Sequence, residues 1–310
     1  MDNLCHTLVG AALAESGLKR RTAMGTATLM IAANLPDVDV IAVPLGHSLG
    51  FRRGITHGLP ALIVLPVVLT LIMLAWHRWR RSGEPPSARS LLLLSAIGVA
   101  THPFLDWMNS YGMRWLMPFS GKWWYADTLF IIDPWIWLAL AVGVLWSRRR
   151  EARAVQVGTT TPARVSLLAV GAYIAAMAVL ALTARRQVRG ELQARGITAD
   201  TVVVEPVFAS PVSRRVTYLW KGAYHLASYH MLRGELTNAW FSIPVNVDDP
   251  AVAAANGTEQ AREYHSWTRL PYYVVERGRD TTWVTIADAR YTLDGRSSWA
   301  VTRIRVGNRE

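Results

Sequence analysis

The chain changes texture near residue 200. Before it, apolar runs recur: Leu59–Ala75 carries no charge, and Leu91–Ala100, Ile131–Trp146 and Val165–Ala184 repeat the theme. Each approaches the roughly 20 residues that a helix needs to cross a bilayer, so the pattern predicts about four membrane spans. Two weaker segments precede them. Leu4–Ala14 is below spanning length, and Thr22–Val43 is broken by Pro36 and carries two aspartates, so both are expected as short or re-entrant helices shielded by protein. After residue 200, Thr201–Phe208, Arg214–Trp220, Tyr272–Glu276, Thr282–Ala287 and Trp299–Val306 are short, rich in Val, Thr, Tyr and Trp, and punctuated by Pro, Gly, Asp and Ser. That texture predicts antiparallel strands, with Thr258–His265 as a short helix and Arg185–Ala199 as a helical extension of the last span. The expected fold is mainly α: a polytopic membrane bundle over residues 1–190, then a small β-rich extramembrane domain over 200–310. No repeat is visible at periods of 20 to 50 residues.

Composition agrees: 51% hydrophobic and 18% charged residues exclude a disordered chain. A net charge of +11 raises nucleic acid as a partner, but position argues otherwise. Lys19, Arg20 and Arg21, then Arg78, Arg80, Arg81 and Arg89, then Arg148, Arg149, Arg150, Arg153 and Arg164 fall in three linkers between apolar segments. This is the positive-inside pattern, and no nucleic-acid partner is expected. With those linkers cytoplasmic, the chain is a multi-pass protein of the cell (inner) membrane. The Trp107–Thr128 loop and the whole C-terminal domain then lie on the outer side. Arg185, Arg186 and Arg189 run against the rule there. The first fifteen residues lack the basic start of a secretory signal. A lone cysteine, Cys5, excludes an intrachain disulfide and CxxC motifs. Most of the 14 tryptophans sit near span ends, where amphipathic rings settle among headgroups.

The ionisable residues of the apolar half cluster at one level. His6 opens the first helix, Asp37 and Asp39 end the second in Asn34-Leu-Pro-Asp-Val-Asp39, His57 opens the third in Arg53-Gly-Ile-Thr-His57, and His102 and Asp106 close the fourth. The topology puts each at the outer end of its segment, although it was drawn from Lys and Arg alone. Intramembrane Asp and His are costly and mark function by default, and this set is one that zinc or a similar divalent metal prefers. Singly, each has a plainer reading. His102 and Asp106, four apart, share a helix face and reach either a common ion or each other's helix neighbours, with Pro103 between them. Asp37 and Asp39 supply two carboxylates or terminate a helix in water. His57 and His6 are ligands or satisfied polar groups.

Asn-Leu-Pro-Asp-Val-Asp at 34–39, Arg-Gly-Ile-Thr-His at 53–57, and Thr-His-Pro-Phe-Leu-Asp followed by Tyr111-Gly112 resemble the signature of the YdjM-type membrane-bound metal-dependent hydrolases. Asp127 through Asp133-Pro and Asp288-Ala-Arg-Tyr291 look like features of longer members. That family is grouped with zinc-dependent phospholipase C and the P1-type nucleases, all-helical phosphoesterases with clustered metals. The resemblance implies a hydrolase whose metal, zinc foremost, is held by His6, Asp37, His57, His102 and Asp106. Asp39 or Asp133 would act as general base, and Arg53 would bind a phosphate bidentately. A lipid or lipid-linked phosphoester suits a site at headgroup level.

Two other classes remain open on the residues alone. An ion or proton transporter would also use intramembrane Asp and His, though nearer the midplane and between repeats. A membrane-anchored binding or assembly module would leave the six polar residues unexplained. The oligomeric state has no signature in the chain.

Cysteine accessibility in intact cells tests the topology once Cys5→Ser has removed the native thiol. Ser120→Cys and Ser297→Cys are expected to react with an impermeant reagent and Ser82→Cys to stay protected. Labelling at residue 82 with protection at residue 120 would invert the map.

Overall fold

The computed structural model describes residues 1–45, 52–81, 83–153, 160–297 and 299–307; Ser82 and residues 154–159 of the third basic linker lie outside them. The chain divides into two compact units, Met1–Leu180 with Pro206–Pro211, and Ala181–Glu205 with Val212–Glu310.

In the first unit, α1 (Asn3–Glu15) begins at Asp2, whose carboxylate accepts the Cys5 backbone N–H at 3.0 Å, an N-cap that satisfies one of the helix's open donors. Helix α2 (Gly25–Ala32) ends ahead of Pro36, which has no N–H to donate to the Ala32 carbonyl; the chain continues as a 3-10 stretch over Leu35–Leu45. Four longer helices follow: α3 (Ala61–Arg80), α4 (Ala88–Trp107), α5 (Pro134–Ala152) and α6 (Thr161–Ala194). The expected helical extension beyond Ala184 is the last part of α6.

Helix α2 lies tightly between α1 and α4. A Cβ on Gly10 would stand 2.7 Å from the Leu29 carbonyl oxygen, and one on Gly98 would stand 2.5 Å from Ala32 Cβ, so only glycine permits either crossing. Small residues at crossings are how helices pack where lipid removes the hydrophobic drive. Gly10 is about one turn from His6, and Gly98 about one turn from His102. The crossings therefore also gather the polar ends of α1 and α4.

Among the described residues, α3, α4 and α6 are long and apolar enough to cross a bilayer, with mean hydropathies of 2.0, 1.3 and 2.4. The fourth apolar run forms α5, which closes on Arg148, Arg149, Arg150 and Glu151 and so keeps an apolar part shorter than the roughly 20 residues of a span. Ile63, Val64, Leu71 and Ile72 of α3 point outward, as a lipid-facing surface requires. At one end, Lys19 Nζ lies 2.7 Å and Arg148 Nε 3.1 Å from Glu15, Arg164 Nε donates to the Ser16 carbonyl, and the Ser87 N–H donates to Thr22 Oγ1. The three basic linkers meet there.

The second unit is antiparallel. Strands β1 (Thr201–Val207), β2 (Ser210–Trp220), β3 (Ala223–His230) and β4 (Glu235–Leu236) run side by side, with β5 (Phe241–Pro244) also on β3. After two short helices, α7 (Pro250–Asn256) and α8 (Glu259–Trp267), strands β6 (Pro271–Arg277), β7 (Thr281–Asp288) and β8 (Val301–Gly307) make a second sheet. Val204, Val216, Ala227 and Tyr229 pack on Ala184, Val188 and Leu192 of α6, while Leu226 and Ile243 meet Tyr272 and Ala287 across the two sheets.

Asp288 and Arg290 are both buried within this unit. Asp288 Oδ1 accepts Arg290 N–H and Nε–H, and Oδ2 accepts Arg290 Nη2, the Thr268 hydroxyl and the Arg269 N–H. The guanidinium is flanked by the Trp267 and Tyr291 rings. Burial alone would raise the Asp288 carboxyl, but Arg290 outweighs it and holds the group at about 2 instead of 3.8. A depressed carboxylate contributes stability that is present above its unfolded value and lost as pH falls through the folded one. The unit is therefore expected to lose roughly 2 kcal/mol between about pH 4 and about pH 2. Asp288→Asn should remove that dependence and cost about 3 kcal/mol or more, because the buried Arg290 loses the carboxylate that balances its charge. Denaturant unfolding of the full chain, followed by circular dichroism across that pH window, checks both.

Candidate metal centre

His102 and Asp106 leave α4 from one face, one turn apart. Their helix end is pinned by the loop that follows it: the N–H groups of Thr128 and Leu129 donate to the Met108 carbonyl, and Ala126 N–H donates to the Trp107 carbonyl. His102 Nδ1 lies 2.7 Å from the Ala33 carbonyl oxygen. A carbonyl only accepts, so Nδ1 carries the proton and Nε2 presents a lone pair, the orientation used by metal-binding imidazoles. His57, in the turn before α3, has Thr56 Oγ1 at 3.0 Å and Asp39 Oδ2 at 3.5 Å from Nδ1. Its Nε2 faces Asp106 Oδ2 at 3.6 Å and Asp37 Oδ1 at 3.7 Å. His102 Nε2 stands 3.5 Å and 3.7 Å from the same two oxygens. Burial would raise the Asp37 carboxyl, but His102 and His57 outweigh it and hold it below the usual carboxylate range.

One ligand atom each from Asp37, His57, His102 and Asp106 lies within 4.8 Å of all the others, and all four residues are buried. His57 Nε2, His102 Nε2 and Asp106 Oδ2 have no hydrogen-bond partner. An unsatisfied buried polar atom costs about 1–3 kcal/mol, and three around one point are what a cation would satisfy. Two imidazole nitrogens and two carboxylate oxygens fit a divalent transition metal.

The other expected residues surround this group in different ways. The His6 ring stacks on His102 at 3.8 Å between centroids, with Nε2 3.4 Å from Asp106 Oδ1; the α-amino group of Met1 also pairs with Oδ1. His6 adjoins the four-residue group without joining it. Asp39 uses both oxygens, Oδ1 accepting Arg52 Nη1 at 2.8 Å and Oδ2 accepting the Arg53 backbone N–H at 2.7 Å. Arg53 is 3% exposed. Its Nε lies 2.8 Å from Asp106 Oδ2 as an ion pair without hydrogen-bond alignment. Its Nη1 donates to the Gly112 carbonyl at 2.7 Å and to Asn109 Oδ1 at 3.2 Å, under the Tyr111 ring. The backbone there is left-handed, with φ at 49°, a strain of order 1–3 kcal/mol that persists only where surroundings over-determine it. This geometry gives Arg53 an internal role, clamping Asp106, in place of the substrate contact expected from its motif. Asp133 is likewise committed: it caps α5 by accepting the Trp135 and Ile136 N–H groups and takes the Tyr173 hydroxyl on its other oxygen.

Sequence reasoning missed Arg52, whose side chain bridges Asp39 and Asp37 and is 25% exposed. Its only signal was adjacency to Arg53. It also missed the Ala33 carbonyl, which a sequence cannot advertise.

The chain belongs to the YdjM inner membrane protein family, whose profile matches residues 1–188. It is 30% identical over 149 residues to the inner membrane protein YbcI of Escherichia coli K12, covering 39% of this chain and 82% of that protein. It is 27% identical over 159 residues to the uncharacterized protein YfhP of Bacillus subtilis 168, covering 47% of this chain and 46% of that one. The chain thus spans a little under half of the Bacillus relative. No solved structure matches it.

Elemental analysis of protein purified without chelator is expected to find at least one equivalent of a divalent transition metal. His57→Ala and His102→Ala should each lose it. Asp133→Asn should keep it while costing about 1 kcal/mol of stability through the weakened cap. Metal-free wild type under those conditions would dismiss the centre.

Proposed function

We propose that this YdjM-family protein is a membrane-bound metal-dependent hydrolase acting on a phosphoester, of lipid type, at the outer headgroup level. Its ion, zinc in this reading, is held by Asp37, His57, His102 and Asp106 with His6 beside them. The observation that carries the proposal is the set of three buried atoms without a hydrogen bond, His57 Nε2, His102 Nε2 and Asp106 Oδ2, gathered next to Asp37 Oδ1.

A bound divalent metal lowers the pKa of water towards 7 and polarises a scissile phosphoryl or acyl oxygen. The chain's own residues do the rest. Hydrogen bonding by Ala33 and Thr56 turns both imidazoles so that Nε2 faces inward. Arg53 fixes Asp106 against rotation. Asp39 Oδ1, whose partner Arg52 is partly exposed, is the base that takes the proton from the attacking water in this reading. Kinship with zinc-dependent phospholipase C and the P1-type nucleases belongs to this proposal. So does the topology in which the basic linkers are cytoplasmic, α5 makes a fourth crossing and the β-unit is extracytoplasmic.

Metal-loaded protein in vesicles should release phosphate or headgroup from at least one member of a panel of lipid and lipid-linked phosphoesters. His102→Ala should abolish turnover together with the metal. Asp39→Asn should keep the metal and lower kcat by roughly 10²–10⁴. A metal-replete protein that is inactive on the panel yet moves ions across vesicles would replace the hydrolase with a transporter.

A further inference from the structure

A cleft of about 470 Å³ opens beside the centre, walled by Thr7 of α1 and by Met30, Ile31, Asn34, Leu35 and Val38 of the α2 and 3-10 segment, with Asp37 also in its lining. Its walls are amphipathic. Ile31 and Val38 are 44% and 42% exposed, an apolar surface open to whatever enters. Asn34 Nδ2 donates to Thr7 Oγ1 at 3.0 Å, while the buried Asn34 Oδ1 has no hydrogen-bond partner. The cleft meets the centre at Asp37, and there it meets a cation: Arg52 Nη2 lies 3.5 Å from Asp37 Oδ1. Among the described residues, Arg53, and Arg114, which donates to the Arg52 carbonyl, are 3% and 5% exposed. Arg52, at 25% on its side chain, is the more open to a ligand. An apolar trough with Asp37 of the donor set in its lining, and the Arg52 guanidinium 3.5 Å beyond that carboxylate, matches an amphiphile with an anionic head.

We propose that this cleft receives the acyl chain of an anionic phosphoester lipid whose phosphate is recognised by Arg52. The assignment rests on the hydrolase reading for what happens at the head, and on the cleft and Arg52 for what binds. Arg52 presents a planar fork that suits a phosphate oxygen pair. The chain lies against Ile31 and Val38, and the same surface gives a free phosphate nothing.

The test uses the full-length, metal-loaded protein in detergent, with dioleoyl phosphatidate and inorganic phosphate as separate probes and metal content measured on each sample. Ile31→Trp and Val38→Trp narrow the cleft from exposed positions that leave the fold intact, as gel filtration should verify. Both are expected to weaken phosphatidate binding at least tenfold while leaving phosphate binding and metal content unchanged. Arg52→Gln should weaken both probes. Phosphatidate binding that is unaffected by both tryptophans, or that in wild type is no tighter than phosphate binding, would overturn the proposal. Wild type that takes up no metal yet binds phosphatidate, with that binding lost in Ile31→Trp, would sink the hydrolase reading and uphold the cleft.

Discussion

A carboxylate with 1% of its surface exposed, at the end of a membrane-type helix, must be compensated where it stands, and Asp106 organises its surroundings accordingly. Arg53 is delivered to it from a left-handed turn whose own N–H is tied to Asp39. His6, His57 and His102 arrive from three separate elements. The glycine crossings at Gly10 and Gly98 are the mechanical counterpart, since helices one side chain further apart could not stack His6 on His102. The result is a group in which two imidazole nitrogens and two carboxylate oxygens converge on one point, a donor set that a cation fits.

Much of this was legible in the chain because lipid makes polar residues conspicuous. His6, Asp37, His57, His102 and Asp106 stood out against apolar neighbours, and Asp37, His57, His102 and Asp106 are the four whose ligand atoms converge. What could not be read was direction. Arg53 and Asp39 carry the charges expected of substrate and proton handling, yet Arg53 is turned inward onto Asp106 and Gly112, a choice made by a backbone dihedral that no spacing encodes. Asp133 carried a second signal, Asp-Pro before an apolar run, which is also the signature of a helix start, and the structure uses it as a cap. Arg52 was hidden by its neighbour.

In the second unit, the strands rich in Val, Thr and Tyr were visible, whereas β3, Ala-Tyr-His-Leu-Ala-Ser-Tyr-His, was not. Its Ala, Ser and His positions carry little strand preference, and its place is fixed by pairing on both sides, with β2 and with β4 and β5. The Asp288-Ala-Arg-Tyr291 motif, suggestive of chemistry by its residue types, proves to be a buried ion pair between aromatic rings. The same pairing of Asp with Arg thus serves packing in one unit and electrostatic clamping of a polar centre in the other. The difference lies in what is left unsatisfied: Asp288 has donors on both oxygens, while Asp106 Oδ2 and two imidazole nitrogens have no hydrogen-bond partner.

The central claim is that those atoms hold a metal, and X-ray absorption spectroscopy of zinc-loaded, washed protein addresses it directly. The account predicts a first shell of nitrogen and oxygen only, at about 2.0–2.1 Å, with the outer-shell scattering of two imidazoles. A shell containing sulfur at about 2.3 Å, which here could come only from Cys5 or methionine, or one without imidazole scattering, would contradict it.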